Sequence, residues 1–184
     1  MWIMNKKRRM NILWSEALEL FSEKQNLDLD TFLFRLIEII RNNREAIERF
    51  LNNSQNNNKI NTEDEKLYFQ YVMTIEPEMY VIGATGDDFD LISSSYINLL
   101  PKSDIEIWRR LSNLIKDIIT FVSSTICPQC KSDHLRILSD IEGVNLYRYC
   151  ETCSYTEDDE KVFKSHELLV PANVAMLKKA DYLN

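Results

Sequence analysis

Cys127-Pro128-Gln129-Cys130 and Cys150-Glu151-Thr152-Cys153 decide how this chain is read. They hold all four cysteines of the 184 residues, with 19 residues between the pairs. A two-residue gap lets the backbone curl so that both sulfurs of a pair face one cation. A longer spacer lets a hairpin carry the second pair opposite the first. Spacing of this kind marks a tetrahedral zinc site, with Cys127, Cys130, Cys150 and Cys153 as ligands and the ion in a structural role. Pro128 suits the sharp turn, because its ring presets a turn-compatible φ. Since every thiol is used, none is left as a nucleophile. The alternatives for such pairs are disulfides or an exposed redox Cys-x-x-Cys.

Outward from the first pair, residues 125–163 resemble the zinc-ribbon family. The resemblance rests on the CPxC first knuckle, the CxxC second knuckle, Tyr149 ahead of Cys150, and apolar or β-branched positions between them. Zinc ribbons usually carry a small residue, often glycine, directly after the second cysteine of a knuckle. Here those places hold Lys131 and Ser154. The resemblance implies a three-stranded antiparallel sheet clamped by one ion. It does not imply an activity, because ribbons serve as nucleic-acid readers, subunit contacts and plain clips.

The rest of the chain reads as helical. Trp14, Ala17, Leu18 and Phe21 recur at helix spacing in residues 11–25. Residues 30–52 read as one long helix, with Leu33, Leu36, Ile37, Ile40, Ile47, Phe50 and Leu51 on its apolar face. The tract Asn-Asn-Ser-Gln-Asn-Asn-Asn at 52–58 ends it as a polar loop. A capping box, Thr62-x-x-Glu65, opens a third helix that Pro77 stops, with Leu67, Tyr68, Tyr71, Val72 and Ile75 buried. Residues 79–84 fit a strand or a helix start. After an apolar segment at 91–100, a second capping box, Ser103-x-x-Glu106, opens a long helix burying Ile105, Trp108, Leu111, Ile115, Ile118, Ile119 and Val122. Only residues 123–125 then separate this helix from Cys127, which places the ribbon against the helical body. Residues 161–170 suit a closing strand anchored by Val162 and Phe163, and Pro171 leads into a short helix over 172–183. The expected fold class is α+β: a mainly helical domain over 1–124 with an Asn-rich loop at about 52–61, a zinc ribbon over 125–163, and a strand and helix over 164–184 packed on the body.

Charge narrows the function. The net charge is −7. Residues 125–163 contain 4 Lys plus Arg against 8 Asp plus Glu, including Glu157, Asp158, Asp159 and Glu160. Four thiolates around a divalent ion add a further negative charge of about two. A ribbon that grips phosphate concentrates cations on one face, so nucleic acid is disfavoured. Tyr147, Tyr149 and Tyr155 could stack on bases, but with Arg148 as nearly the only adjacent cation they suit packing or a protein contact better. A nucleic-acid reading would need a basic face built from Lys6–Arg9, Arg35, Arg41, Arg44, Arg49, Arg109 and Arg110.

Catalytic readings are weaker still. Asp87, Asp88 and Asp90 could hold magnesium, but acids at a helix start are the simpler account. His134 follows Cys130 closely, yet four sulfurs leave tetrahedral zinc no vacancy for it or for a reactive water. His166 beside Glu167 has no nucleophile motif with it. The three glycines argue against a glycine-rich phosphate loop. The run Lys6–Arg9 reads as a solvated tail, or as a leader if translation starts at Met4 or Met10 rather than Met1. No secretory core follows it, and no apolar stretch is long enough to span a bilayer. The expectation is a cytoplasmic, non-catalytic, zinc-stabilised adaptor or regulator, a subunit of an assembly or an immunity-type inhibitor, that binds another protein with a basic surface. The alternatives are a nucleic-acid-associated ribbon and, less favoured, a magnesium enzyme using the Asp87–Asp90 cluster.

Overall fold

A computed structural model describes residues 4–54, 62–83, 86–98, 100–158, 162–163 and 168–183. It contains helices α1 (Met4–Glu23), α2 (Leu29–Asn42), α3 (Arg44–Ser54), α4 (Thr62–Thr74), α5 (Gly86–Ile97), α6 (Asp104–Ile119) and α7 (Val174–Lys179). Its strands are β1 (Phe121–Ile126), β2 (His134–Asp140), β3 (Leu146–Tyr149), β4 (Thr156–Glu157), β5 (Val162–Phe163) and β6 (Leu169–Pro171). Helices thus fill the N-terminal part, and an antiparallel sheet with a short helix follows, as an α+β reading requires. The chain divides into two compact units: residues 1–75 with 85–115, and residues 76–84 with 116–184.

The first unit is built from α1 to α5 and the first three turns of α6. Leu13, Ala17, Leu20 and Phe21 of α1, and Phe32, Leu33, Leu36, Ile37 and Ile40 of α2, are buried. Phe32 meets Phe21 at 5.4 Å and Phe89 of α5 at 4.8 Å between ring centroids. Trp108 is fully buried on α6, edge-on to Phe69, and donates its Nε1–H to Glu65 at 2.9 Å.

The helix foreseen over 30–52 is two helices that break at Asn43, whose side-chain amide donates to the Ile39 carbonyl at 2.9 Å and to Glu16 at 2.7 Å. An Asn side chain competes in this way with the backbone ladder. The first of these helices is capped by Asp28, which accepts from the Thr31 amide at 2.7 Å. The described part of α1 covers Met4–Glu23, so the run Lys6–Arg9 lies in α1 rather than in a tail. Leu67 is 41% exposed, and Phe69 takes its place in the buried stripe of α4. Glu106 reaches back to the amide of Lys102 at 2.7 Å, one residue ahead of the position a capping box uses. The Asn-rich tract starts inside α3, and residues 55–61 lie outside the described part.

In the second unit the sheet is larger than a three-stranded ribbon: six strands, in the order β1-β2-β3-β4-β5, with β6 also on β2. A six-residue strand, β1, stands between α6 and Cys127, where only a short link was expected. Val122 belongs to that strand and is 44% exposed, not part of the helix core. β1 pairs with β2 through Phe121↔Ile137 and Ile126↔His134, and β6 pairs with it through Leu138↔Pro171 and Asp140↔Leu169. β3 takes the other side of β2, with Ile137↔Arg148. β1 and β6 therefore lie end to end along one edge of β2.

The closing strand foreseen over 161–170 is two short strands in different places: β5 follows β4, while β6 joins β2. One sheet face packs Ile137 against Ala172 and Leu177, with Phe121, Leu146, Tyr182 and Val81 around them. Asn173 caps α7 by accepting from the Met176 amide at 3.0 Å. Residues 79–83 form neither strand nor a regular helix beyond the 3-10 turn Pro77–Met79. Gly83 donates its N–H to the Ile118 carbonyl at 2.9 Å, and a Cβ at that position would stand 2.2 Å from the Thr120 oxygen. Only glycine permits so close an approach.

Candidate metal centre

The first knuckle follows β1 and the second follows β3, so β2 and β3 form the hairpin that brings the two cysteine pairs together. The hairpin loop is fixed by Asp140, whose carboxylate accepts from the amides of Val144 at 2.7 Å and Asn145 at 3.0 Å. Gly143 in the same loop adopts a left-handed φ of 69°. In the first knuckle the Cys127 amide donates to the Asp133 carbonyl at 2.8 Å, and the Lys131 amide donates to the Cys127 carbonyl at 3.1 Å. In the second, the Cys150 amide donates to the Tyr155 carbonyl at 2.9 Å. Lys131 and Ser154, each directly after the second cysteine of its knuckle, have φ of 60° and 56°. Both knuckles therefore make the left-handed turn that glycine adopts most readily.

The sulfurs of Cys127, Cys130, Cys150 and Cys153 all lie within 4.8 Å of one another. Cys127 and Cys153 approach to 3.6 Å, as do Cys130 and Cys150, and all four are free thiols. Zinc–sulfur bonds of about 2.3 Å in a tetrahedron require sulfur–sulfur edges of about 3.8 Å. The four residues thus could hold a tetrahedral, thiolate-bound ion. Cys127 and Cys150 are fully buried beside Leu135, while Cys130, Cys153 and Tyr155 cover the cluster and are partly exposed. Which metal fills such a cage is a matter of ligand softness, and four sulfurs favour zinc or iron over magnesium or calcium.

Asp133 links the two knuckles. One of its carboxylate oxygens accepts from the His134 amide at 2.8 Å; the other accepts from Arg136 at 3.0 Å and from the Thr152 hydroxyl at 3.1 Å, and lies 3.9 Å from the Cys150 sulfur. Arg136 also pairs with Glu151 at 2.6 Å, inside the second knuckle. Burial works against the Asp133 carboxylate, but the Thr152 and Arg136 contacts outweigh it and hold the group below the usual carboxylate range. A hydrogen bond from the Ser132 hydroxyl lowers the Cys130 thiol to about 6, whereas burial pushes Cys150 up to about 12 and also raises Cys153. Without an ion the cluster therefore holds protons at neutral pH that a metal must displace.

The other sequence candidates do not join this site. His134 is exposed at the start of β2 and lies outside the sulfur cluster. His166 and the side chains of Asp87 and Asp88 lie outside the described residues, and the Asp90 side chain pairs with Lys24 at 2.9 Å. Tyr147 is buried, Tyr149 is half-buried, and Tyr155 packs on the cluster and donates to Glu157. Burial of the Lys116 ammonium lowers its pKa, a feature without a signal in the sequence. Asp133 and Arg136 carry no signal in the sequence, since a single Asp and a single Arg between two knuckles form no pattern. No helix among the described residues is long and apolar enough to cross a membrane. Comparison of the chain with family models, with curated proteins and with solved structures finds no match.

Proposed function

We propose that this chain is a zinc-stabilised, non-catalytic adaptor or regulatory protein that works in the cytoplasm by binding another protein. The observation that carries the reading is the closed sulfur cluster: four thiols at tetrahedral spacing leave a bound ion no position for water or substrate. The ion then supplies folding free energy, on the order of 10 kcal/mol for comparable small sites.

Two further observations support a protein partner over nucleic acid. The sheet arginines are engaged by carboxylates, Arg136 by Asp133 and Glu151 and Arg148 by Glu157 at 2.7 Å, which removes the cationic surface a phosphate backbone needs. β1, at one end of the sheet order, presents Val122 and Ile126, which is 54% exposed. An edge with apolar side chains suits association with another polypeptide. A net charge of −7 favours a partner with a basic surface.

The test is metal analysis of the full chain together with cobalt substitution. One zinc per chain and a tetrahedral four-thiolate cobalt spectrum are expected; a spectrum showing a water ligand overturns the closed-cage reading. For the partner, chemical cross-linking in native cells is expected to give a protein adduct that Ile126→Lys abolishes. Tight, salt-dependent binding of single- or double-stranded nucleic acid by the full chain would favour the nucleic-acid alternative instead.

A further inference from the structure

Each knuckle holds one buried and one accessible cysteine. Cys127 and Cys150 have 0% exposure, while Cys130 and Cys153 are only partly buried. The accessible sulfur of each knuckle stands against the buried sulfur of the other: Cys130 is 3.6 Å from Cys150, and Cys153 is 3.6 Å from Cys127. Oxidation through a sulfenic acid needs one thiol that an oxidant can reach and a second in contact with it to resolve the product. Both pairs meet that description, and in both the resolving thiol comes from the opposite knuckle.

We propose that a peroxide converts this centre from a metal-tied ribbon to a disulfide-tied one, expelling the ion and forming Cys130–Cys150 and Cys127–Cys153. The proposal rests on the metal-binding reading above. In each pair the accessible thiolate attacks the peroxide O–O bond, giving a sulfenic acid and, with one proton, a water molecule. The buried thiolate of the other knuckle then attacks the sulfenyl sulfur and forms the S–S bond. The departing hydroxide takes up a second proton as water. Two thiolates lose two electrons, and one peroxide molecule becomes two of water. A centre with all four thiolates consumed has no ligand left for the ion, so two peroxide molecules release one metal ion.

The pairing determines what happens to the sheet. Links across the knuckles join the same two loops that the ion joins, so the β2–β3 hairpin stays closed when the ion departs. Links within a knuckle would each close only a Cys-x-x-Cys ring and leave the loops free of one another. The crosswise arrangement thus makes oxidation an exchange of one tie for another rather than an unfolding event.

The experiment takes the full-length, metal-loaded protein, adds hydrogen peroxide in steps, follows the freed ion with a colorimetric chelator, and maps the links by non-reducing digestion with electron-transfer fragmentation. Expected are about two peroxide equivalents per ion released, Cys130–Cys150 and Cys127–Cys153 as the links, and retained strand content by circular dichroism. Within-knuckle links, the other crosswise pairing, or an ion held through excess peroxide overturns the proposal. Metal content is read before oxidation. Protein purified and reloaded without binding any ion refutes the metal-binding reading, while the link map still decides the sulfur pairing.

Discussion

Replacing Lys131 or Ser154 by glycine should tighten the metal centre. Both residues are exposed and sit at left-handed φ, 60° and 56°, in the turn that closes each knuckle. An L-residue there carries a steric cost of about 1–2 kcal/mol from its Cβ. Glycine removes that cost but loses about 0.5–1 kcal/mol through its freer unfolded chain. The net gain is about 0.5–1 kcal/mol per site. Where folding of the ribbon and metal binding are one event, that gain appears as metal affinity. Each variant should then bind zinc about 2- to 5-fold more tightly, and the double variant about 10-fold, since 1.4 kcal/mol is a factor of ten. Competition against a chromogenic chelator at fixed pH reads this directly. Lys131→Val is the control: a β-branched side chain is a true outlier at this φ and should weaken binding several-fold. Glycine variants that bind no tighter than wild type, or a valine variant that binds equally well, would refute the account of the knuckle turns.

Cys150→Ser should abolish stoichiometric metal binding and leave residues 125–163 open to proteolysis, while the first unit, whose buried residues lie elsewhere, keeps its protease resistance; unchanged metal content in this variant would contradict the four-ligand assignment. Metal affinity should fall as pH falls, because the bound state carries thiolates and the free state carries protons on Cys150, near a pKa of about 12, and on Cys153, whose pKa is also raised. At least two protons are displaced at neutral pH, so the affinity should change by roughly 100-fold per pH unit between 7 and 8, measured by competition titration. Asp133→Asn should weaken metal binding by about 10-fold, the usual effect of losing a group that orients metal ligands, and Thr152→Val by less, because it removes one neutral hydroxyl donor. Gly83→Ala should destabilise the second unit by about 1–3 kcal/mol in urea unfolding, since its methyl group meets a backbone carbonyl that cannot turn aside.

The sulfur cluster was legible because Cys-x-x-Cys is a local pattern whose spacing alone restricts its geometry. The helices were legible where one residue set repeats at helix spacing, as in α6, although Ile107 and Leu114 are buried there and were not foreseen. The break at Asn43 was hidden because the apolar repeat runs on through Ile40 and Ile47, and only a side-chain bond to Ile39 and Glu16 interrupts the ladder. β1 was hidden for another reason. Phe121, Ser123 and Thr125 alternate with Val122, Ser124 and Ile126, but the helix pattern ahead of them absorbs Val122 at the expected spacing. β6 pairs with a strand about thirty residues away in sequence, and such long-range pairing leaves no local trace. Asp133 illustrates the same limit for the site: its role comes from meeting Thr152 and Arg136, which only the folded hairpin brings to it.

The end-to-end placement of β1 and β6 on one edge of β2 sets the smallest piece of this chain that can be studied alone. A fragment cut at the boundaries of the cysteine motif, residues 125–163, would keep all four cysteines yet sever β1 four residues into its length and discard β6 and α7. Ile137 and Leu146 would then face water. An excised peptide could load an ion and still be a poor witness for the native domain. Expression trials are better started from a piece that retains both 76–84 and 116–183.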